Sequence, residues 1–199
     1  MPELHQRVLP HEATTHPLVA AARDLAHELL GRLDGRWRHT QGVARRAAAA
    51  AAAVPAADRP VLVAAAWLHD IGYAEPLRRS GFHPLDGAWH LQADHWPEPF
   101  AGLVAHHSAA GLVAAVRGLA GPMGCFPAPR YAWGPVADAL TFADQTTGPD
   151  GEVMDVENRL ADMLRRHGPD SPNARAHAQR APAIRAAVHR TELRLRAAT

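Results

Sequence analysis

The 199-residue sequence predicts an all-α fold, a single-domain helical bundle, and three observations predict it. No alternating run of Val, Ile, Thr or Tyr bounded by turn residues marks a strand. Apolar residues recur instead at helical spacing along nearly the whole chain. Proline and glycine cut these patterns into segments of ordinary helix length. The length suffices for one full hydrophobic core, and no repeat or long linker marks a second, so residues 1–199 read as one domain.

The first helix is expected from His16 to Leu33, where Leu18, Ala21, Ala22, Leu25, Leu29 and Leu30 form an apolar stripe and Gly35 follows as a stop. A second starts near Arg36 and runs through an alanine tract to Val54, closed by Pro55. High helix propensity and small side chains suit that tract to close packing. Asp58 is expected to cap a third helix, with Pro60 in its first turn, ending at Asp70. Residues 71–80 form a connection that carries Arg78 and Arg79. Helices are expected next at His83–His95, Pro97–Ser108 and Ala109–Leu119, followed by a long loop from Gly121 to Trp133. Pro135–Thr146 forms another helix, the GPDG turn at 148–151 interrupts, and helices over Glu152–His167 and from Ser171 to about Leu195 close the chain.

Composition excludes several classes of function. A formal net charge of +1 and a pI near 8.2, with both signs mixed along the chain, do not suit a dedicated nucleic-acid binder. Residues 1–10 are polar and broken by prolines, unlike a signal peptide, and the alanine-rich run Ala47–Val54 is too short to cross a bilayer. With Cys125 as the only cysteine, no internal disulfide can form; a soluble protein of the reducing cytoplasm is expected. The chain has no lysine, which removes P-loop and Schiff-base chemistry. It has 14 histidines, and their placement carries the functional reading.

That placement is an order: His39, the pair His69-Asp70, His83, the pair His106-His107, and Asp144, each on or beside a different expected helix. Ligands projecting inward from several helices are how bundles build metal sites. Mixed imidazole and carboxylate donors suit iron, manganese, zinc, cobalt or nickel ahead of magnesium. Adjacent residues on a helix point about 100° apart, so His69 and Asp70 can share one ion only near a helix end, where Ile71-Gly72 puts one. An aspartate has two oxygens and can bridge two ions. Asp144, late on its helix, can reach back towards the centre of a bundle.

The order and spacing of His39, His69-Asp70 and Asp144 resemble the H…HD…D signature of the HD superfamily of metal-dependent phosphohydrolases. RWRHTQGVARRA around His39 and AAWLHDIGY around Asp70 are similar to its first and central motifs. GFHPLDGA and VAHHSAA are similar to the extra histidine motifs of its two-metal branches, which include the HD-GYP cyclic-dinucleotide phosphodiesterases and symmetric diadenosine-tetraphosphate hydrolases. The resemblance covers residues 36–151. Tyr73 stands where HD-GYP proteins carry lysine, Ser108 where glutamate follows their histidine pair, and a GYP segment is missing, which points away from cyclic-di-GMP.

The resemblance implies an HD-type bundle binding one or two divalent ions through His39, His69, Asp70, His83, His106, His107 and Asp144. It implies hydrolysis of a small phosphorylated substrate, in the nucleotide class that the family commonly hydrolyses, by a metal-activated water, with His69 and Asp70 catalytic. Without lysine, phosphate recognition falls to arginine, and Arg36, Arg78, Arg79 and Arg159 are the candidates. His90 reads as structural, and His5, His11, His16, His27, His95, His167, His177 and His189 as solvated or helix-terminal. Asp86 reads either as a partner orienting an imidazole or as a surface carboxylate, and Trp67, Trp89 and Trp96 as core or lid. Two alternatives stay open: a di-iron oxygenase like those resembling myo-inositol oxygenase, and a non-catalytic nucleotide-binding or sensor domain.

Overall fold

A computed structural model describes residues 15–198. The reading of residues 1–10, and of His5 and His11, lies outside them. Among the described residues the regular structure is helical, with one isolated antiparallel bridge between Thr147 and Val153. The helices are α1 Pro17–Leu30, α2 Asp34–Ala49, α3 Arg59–Leu68, α4 His83–Ala93, α5 Pro99–His106, α6 Ala110–Val116, α7 Ala120–Met123, α8 Ala128–Tyr131, α9 Pro135–Gln145, α10 Val156–His167 and α11 Pro172–Ala197.

Several boundaries differ from expectation for identifiable reasons. Helix α1 opens on His16, whose ring accepts from the Leu18 N–H, and ends at Gly31. The expected stop, Gly35, lies inside α2, because Asp34 already opens that helix. The alanine tract leaves the α-helix at Ala49 and tightens into a 3-10 turn at Ala51–Ala53. Asp58 makes no side-chain cap; α3 is entered through a 3-10 turn at Ala56–Asp58. The expected long loop holds the one-turn helices α7 and α8. Helix α10 begins at Val156, since Asp155 caps it by accepting from the Glu157 and Asn158 N–H groups at 2.8 and 3.4 Å.

Helix α9 touches α2, α3 and α11, so the element that carries Asp144 runs through the middle of the bundle. The main core gathers fully buried Leu62, Leu68, Ile71, Leu85, Leu91, Phe100 and Leu140. A smaller cluster, Phe142, Leu160, Ala181, Ile184 and Val188, fixes α10 and α11 against α9. The 18-residue stretch Pro99–Val116 is apolar and long enough to cross a membrane, yet 67% of it is buried and it is split between α5 and α6. It forms part of the core.

Two close backbone approaches shape the site. A Cβ on Gly42 of α2 would lie 2.5 Å from the Gly151 Cα, so the 148–151 turn is seated directly on the helix that carries His39. A Cβ on Gly72 would lie 2.0 Å from the His83 carbonyl oxygen, so the turn after Asp70 packs backbone to backbone on the start of α4.

Candidate metal centre

Each candidate ligand sits where a helix ends or begins. His69 and Asp70 follow the last residue of α3; Asp70 has φ −109° and ψ 5°, outside helical geometry, and this swing lets two neighbours face one point. His83 opens α4, His107 follows α5, and Asp144 lies in the last turn of α9. His39, in the middle of α2, is the exception.

The side chains converge. His39 Nε2 lies 3.2 Å from Asp144 Oδ1 and 3.8 Å from Asp70 Oδ2. His69 Nε2 lies 3.3 Å from Asp70 Oδ2. His83 Nε2 lies 3.1 Å from Asp70 Oδ1 and 3.4 Å from His107 Nε2. The ligand atoms form two groups, His39–His69–Asp70 and Asp70–His83–His107, each with its atoms within 4.8 Å of one another. Asp70 belongs to both and turns one oxygen towards each.

His39 Nδ1 lies 3.0 Å from Gly148 O, His69 Nδ1 2.8 Å from Ala66 O, and His107 Nδ1 2.7 Å from Val104 O. A carbonyl oxygen only accepts, so Nδ1 of each ring donates, and a neutral imidazole then has a lone pair at Nε2. Three such lone pairs therefore converge with the carboxylates of Asp70 and Asp144. The buried His69 Nε2 has no hydrogen-bond partner despite its nearness to Asp70. Acceptors facing acceptors in a buried pocket are costly unless a cation lies among them, and second nitrogens tied to carbonyls are how metal-ligating histidines are held. The group can hold a metal ion.

Without an ion the electrostatics divide: they keep both carboxylates ionised and His83 and His107 neutral, but favour a proton on His69. Burial raises the pKa of Asp70, but His69 and Arg36 outweigh it and hold the carboxyl well below its usual range. Burial likewise opposes ionisation of Asp144, and His39, His69 and Arg159 outweigh it. Burial pushes His107 down to about 3, with His69 and His83 adding to the effect, and burial also lowers His83. Burial works against protonation of His69, and the adjoining Asp70 carboxylate more than offsets it, so its pKa is raised.

His106 is not brought to the centre. Its Nε2 donates to Phe126 O at 2.5 Å, whereas its neighbour His107, just past the end of α5, joins Asp70 and His83. Ser108 and Ala109 follow with φ of 51° and 56°, a left-handed turn that sends Ser108 Oγ to donate to Asp144 Oδ2. Gln145 Nε2 donates to the same oxygen at 2.7 Å. Asp86 matches neither expectation: it is buried and accepts from Ser80 N, Ser80 Oγ and Gly81 N, fixing the turn that leads into His83. His90 lies outside the groups described.

Of the four candidate arginines, Arg36 donates to Asp70 Oδ2 at 2.7 Å, and buried Arg159 lies 3.7 Å from Asp144 Oδ1. Arg78 donates to Tyr73 O and lines the outer cleft together with Arg36 and His39. Arg79 is elsewhere, in a surface hollow beside Trp89 and Gln92. Sequence reasoning missed Tyr73, whose ring stacks on His83 at 4.0 Å and lies under the Arg36 guanidinium at 4.0 Å. It also missed Arg166, His167 and Arg180, which line the inner cavity with the ligands. Arg159, Met163 and Arg166 recur at helical spacing along α10, a signal that the sequence carried. Arg180 gave none.

No family model, no curated protein and no solved structure matches this chain.

Proposed function

We propose that the chain is a metal-dependent phosphohydrolase of the HD type, acting on a small phosphorylated molecule of the nucleotide class. One observation carries this reading: lone pairs of His39, His69 and His107 converge with two carboxylates on a buried point bordered by arginines. Such a lining attracts a cation at its floor and an anion at its mouth. That His39, His69, Asp70 and Asp144, far apart in sequence, meet in space supports the HD resemblance.

His39, His69 and Asp70, with Asp144 beside them, would hold one ion, and Asp70, His83 and His107 a second. A divalent transition metal bound there supplies Lewis acidity and brings the pKa of water towards neutrality. The rest is done by the chain. The carbonyls of Ala66, Val104 and Gly148 fix the tautomers of the rings. Tyr73, sandwiched between His83 and Arg36, holds both in orientation, and burial with the Asp70 charge pushes its own pKa up to about 12, so it stays a donor. Arg36 and Arg159 offer N–H groups to a phosphoryl group whose oxygens gain charge during transfer. The arginine-rich mouth favours an anionic substrate, and so favours hydrolysis over the oxygenase alternative. A cytoplasmic location belongs to the same proposal and rests on the lone Cys125.

The test is elemental analysis of protein purified without chelators, then phosphate release from p-nitrophenyl phosphate, bis(p-nitrophenyl) phosphate and nucleotides after loading with each metal. About two equivalents of metal, and turnover abolished by Asp70→Ala, are expected. Turnover surviving in Asp70→Ala would overturn the assignment. Oxygen uptake by the iron-loaded protein without phosphate release would replace it with the oxygenase.

A further inference from the structure

The cavity at the metal centre, about 80 Å³, is closed on one side by residues outside the motif-bearing core, among them Arg166, Asn173 and Arg180 of α10 and α11. Its arginines are of two kinds. Arg36 donates to Asp70 at 2.7 Å, Arg166 donates to Asp162 at 2.7 Å, and Arg159 lies 3.7 Å from both Asp144 and Asp162. Among the described residues, Arg180 has no carboxylate within 4.0 Å. Its Nε donates to Ser108 O at 2.9 Å, and its terminal nitrogens make no hydrogen bond among the described residues.

A guanidinium has five N–H donors and stays charged; Arg180 is half-buried, and its terminal nitrogens stay open to water or to an anion that enters the cavity. Burial already lowers the pKa of Arg180. The charge balance points the same way. Four guanidiniums and the carboxylates of Asp70 and Asp144 line the cavity, a net +2, which Asp162 behind Arg159 and Arg166 reduces to +1. The two divalent ions expected there make this about +5, more than the charge of about −2 that a single phosphoryl group brings.

We infer that Arg180, with Arg166 and Asn173 beside it, forms a subsite for a second phosphoryl group, so that the substrate is a phosphoanhydride with two phosphoryl groups in succession. The first would meet the metal centre, the second the C-terminal helices. The inference rests on the phosphohydrolase reading for the first group alone.

Calorimetric titration of the metal-loaded protein with orthophosphate and with pyrophosphate tests it, each probe premixed with saturating magnesium so that neither strips the centre. The intact protein is expected to bind pyrophosphate about tenfold more tightly than orthophosphate, the worth of one charge-assisted hydrogen-bonded pair. Arg180→Met is expected to bring the preference below about twofold while orthophosphate affinity changes by less than about twofold. Arg180→Lys keeps a cation in the same space and should retain part of the preference, and Asn173→Ala should lower it without touching the core. These two keep the inference testable if Arg180→Met does not fold. Equal affinity for the two probes, or a preference that survives in all three variants, overturns the subsite. Phosphate-ester turnover in the same samples separates the two claims. Arg180-dependent pyrophosphate binding without turnover keeps the subsite and drops the hydrolase; turnover with no preference does the reverse.

Discussion

His39 Nε2 lies 3.2 Å from Asp144 Oδ1, across 105 residues of sequence, although the opposite nitrogen of the same ring already faces Gly148 O at 3.0 Å. A neutral imidazole has one proton to give, and both of its neighbours here are acceptors. The ring either carries an extra proton or shares a cation with Asp144. Around His69 the same count recurs, His107 Nε2 faces His83 Nε2 at 3.4 Å, and a metal ion satisfies all three rings at once.

Metal removal should therefore cost stability. An ion present at about 100 times its Kd stabilises by about 2.7 kcal/mol, and in a chain of this size that corresponds to a Tm shift of about 5–10 °C. Differential scanning calorimetry with and without a chelator, followed by metal add-back, checks this. A Tm indifferent to both treatments would show that the acceptors are satisfied by protons instead.

The two adjacent histidines after α5 should separate cleanly. His107→Ala removes a lone pair from the centre and should lower metal content by about one equivalent. His106→Ala should leave metal content unchanged and cost about 1–2 kcal/mol, because it frees the Phe126 carbonyl from a buried hydrogen bond. Elemental analysis and urea unfolding of both variants decide the matter; metal loss in His106→Ala would place that side chain in the centre after all.

Spacing alone could not make this distinction. The pair reads as two ligands in sequence, and only the end of the helix between them, followed by left-handed Ser108 and Ala109, turns one ring in and leaves the other out. Non-glycine residues seldom adopt such a turn, so neither residue announces it. The helices themselves were legible, since apolar periodicity and proline punctuation act locally. His39, His69, Asp70, His83 and Asp144 were legible as a set through their order along the chain and the motifs around them, not through helix position, since His39 lies in the middle of α2. Arg180 was not: one arginine among many on a polar helix differs from its neighbours only through packing against Ser108 from 72 residues away.

Gly72 holds the turn after Asp70 against α4, and Gly72→Ala should show it. The added Cβ would meet backbone, the His83 carbonyl oxygen at 2.0 Å and the Gly87 nitrogen at 2.6 Å, which cannot rotate aside. Overpacking of this kind costs about 1–3 kcal/mol, and relief by moving the start of α4 would carry His83 away from Asp70. Lower thermal stability together with partial loss of metal is expected. Loss of stability with metal content intact would mean that the turn, not α4, gives way.

The C-terminal helix is tied to the site through Asp138, which lies on α9 together with Asp144. Its carboxylate is 2% exposed and accepts from Arg190 Nε and Nη2 at 2.9 and 2.5 Å and from Arg194 Nη2 at 2.9 Å. Replacing one side of a buried pair strands the other, but both arginines reach solvent and can rehydrate, which discounts the penalty. Asp138→Ala should cost about 2 kcal/mol, whereas Arg190→Ala should cost about half as much, because Arg194 still meets the carboxylate. Since α11 also carries Arg180, loosening this tie should weaken anion binding before it alters metal content. Urea unfolding, pyrophosphate titration and elemental analysis on the same Asp138→Ala sample measure the three effects. Metal loss as large as the loss of anion affinity would show that α9 itself has shifted, and that the tie positions Asp144 as well as the last helix.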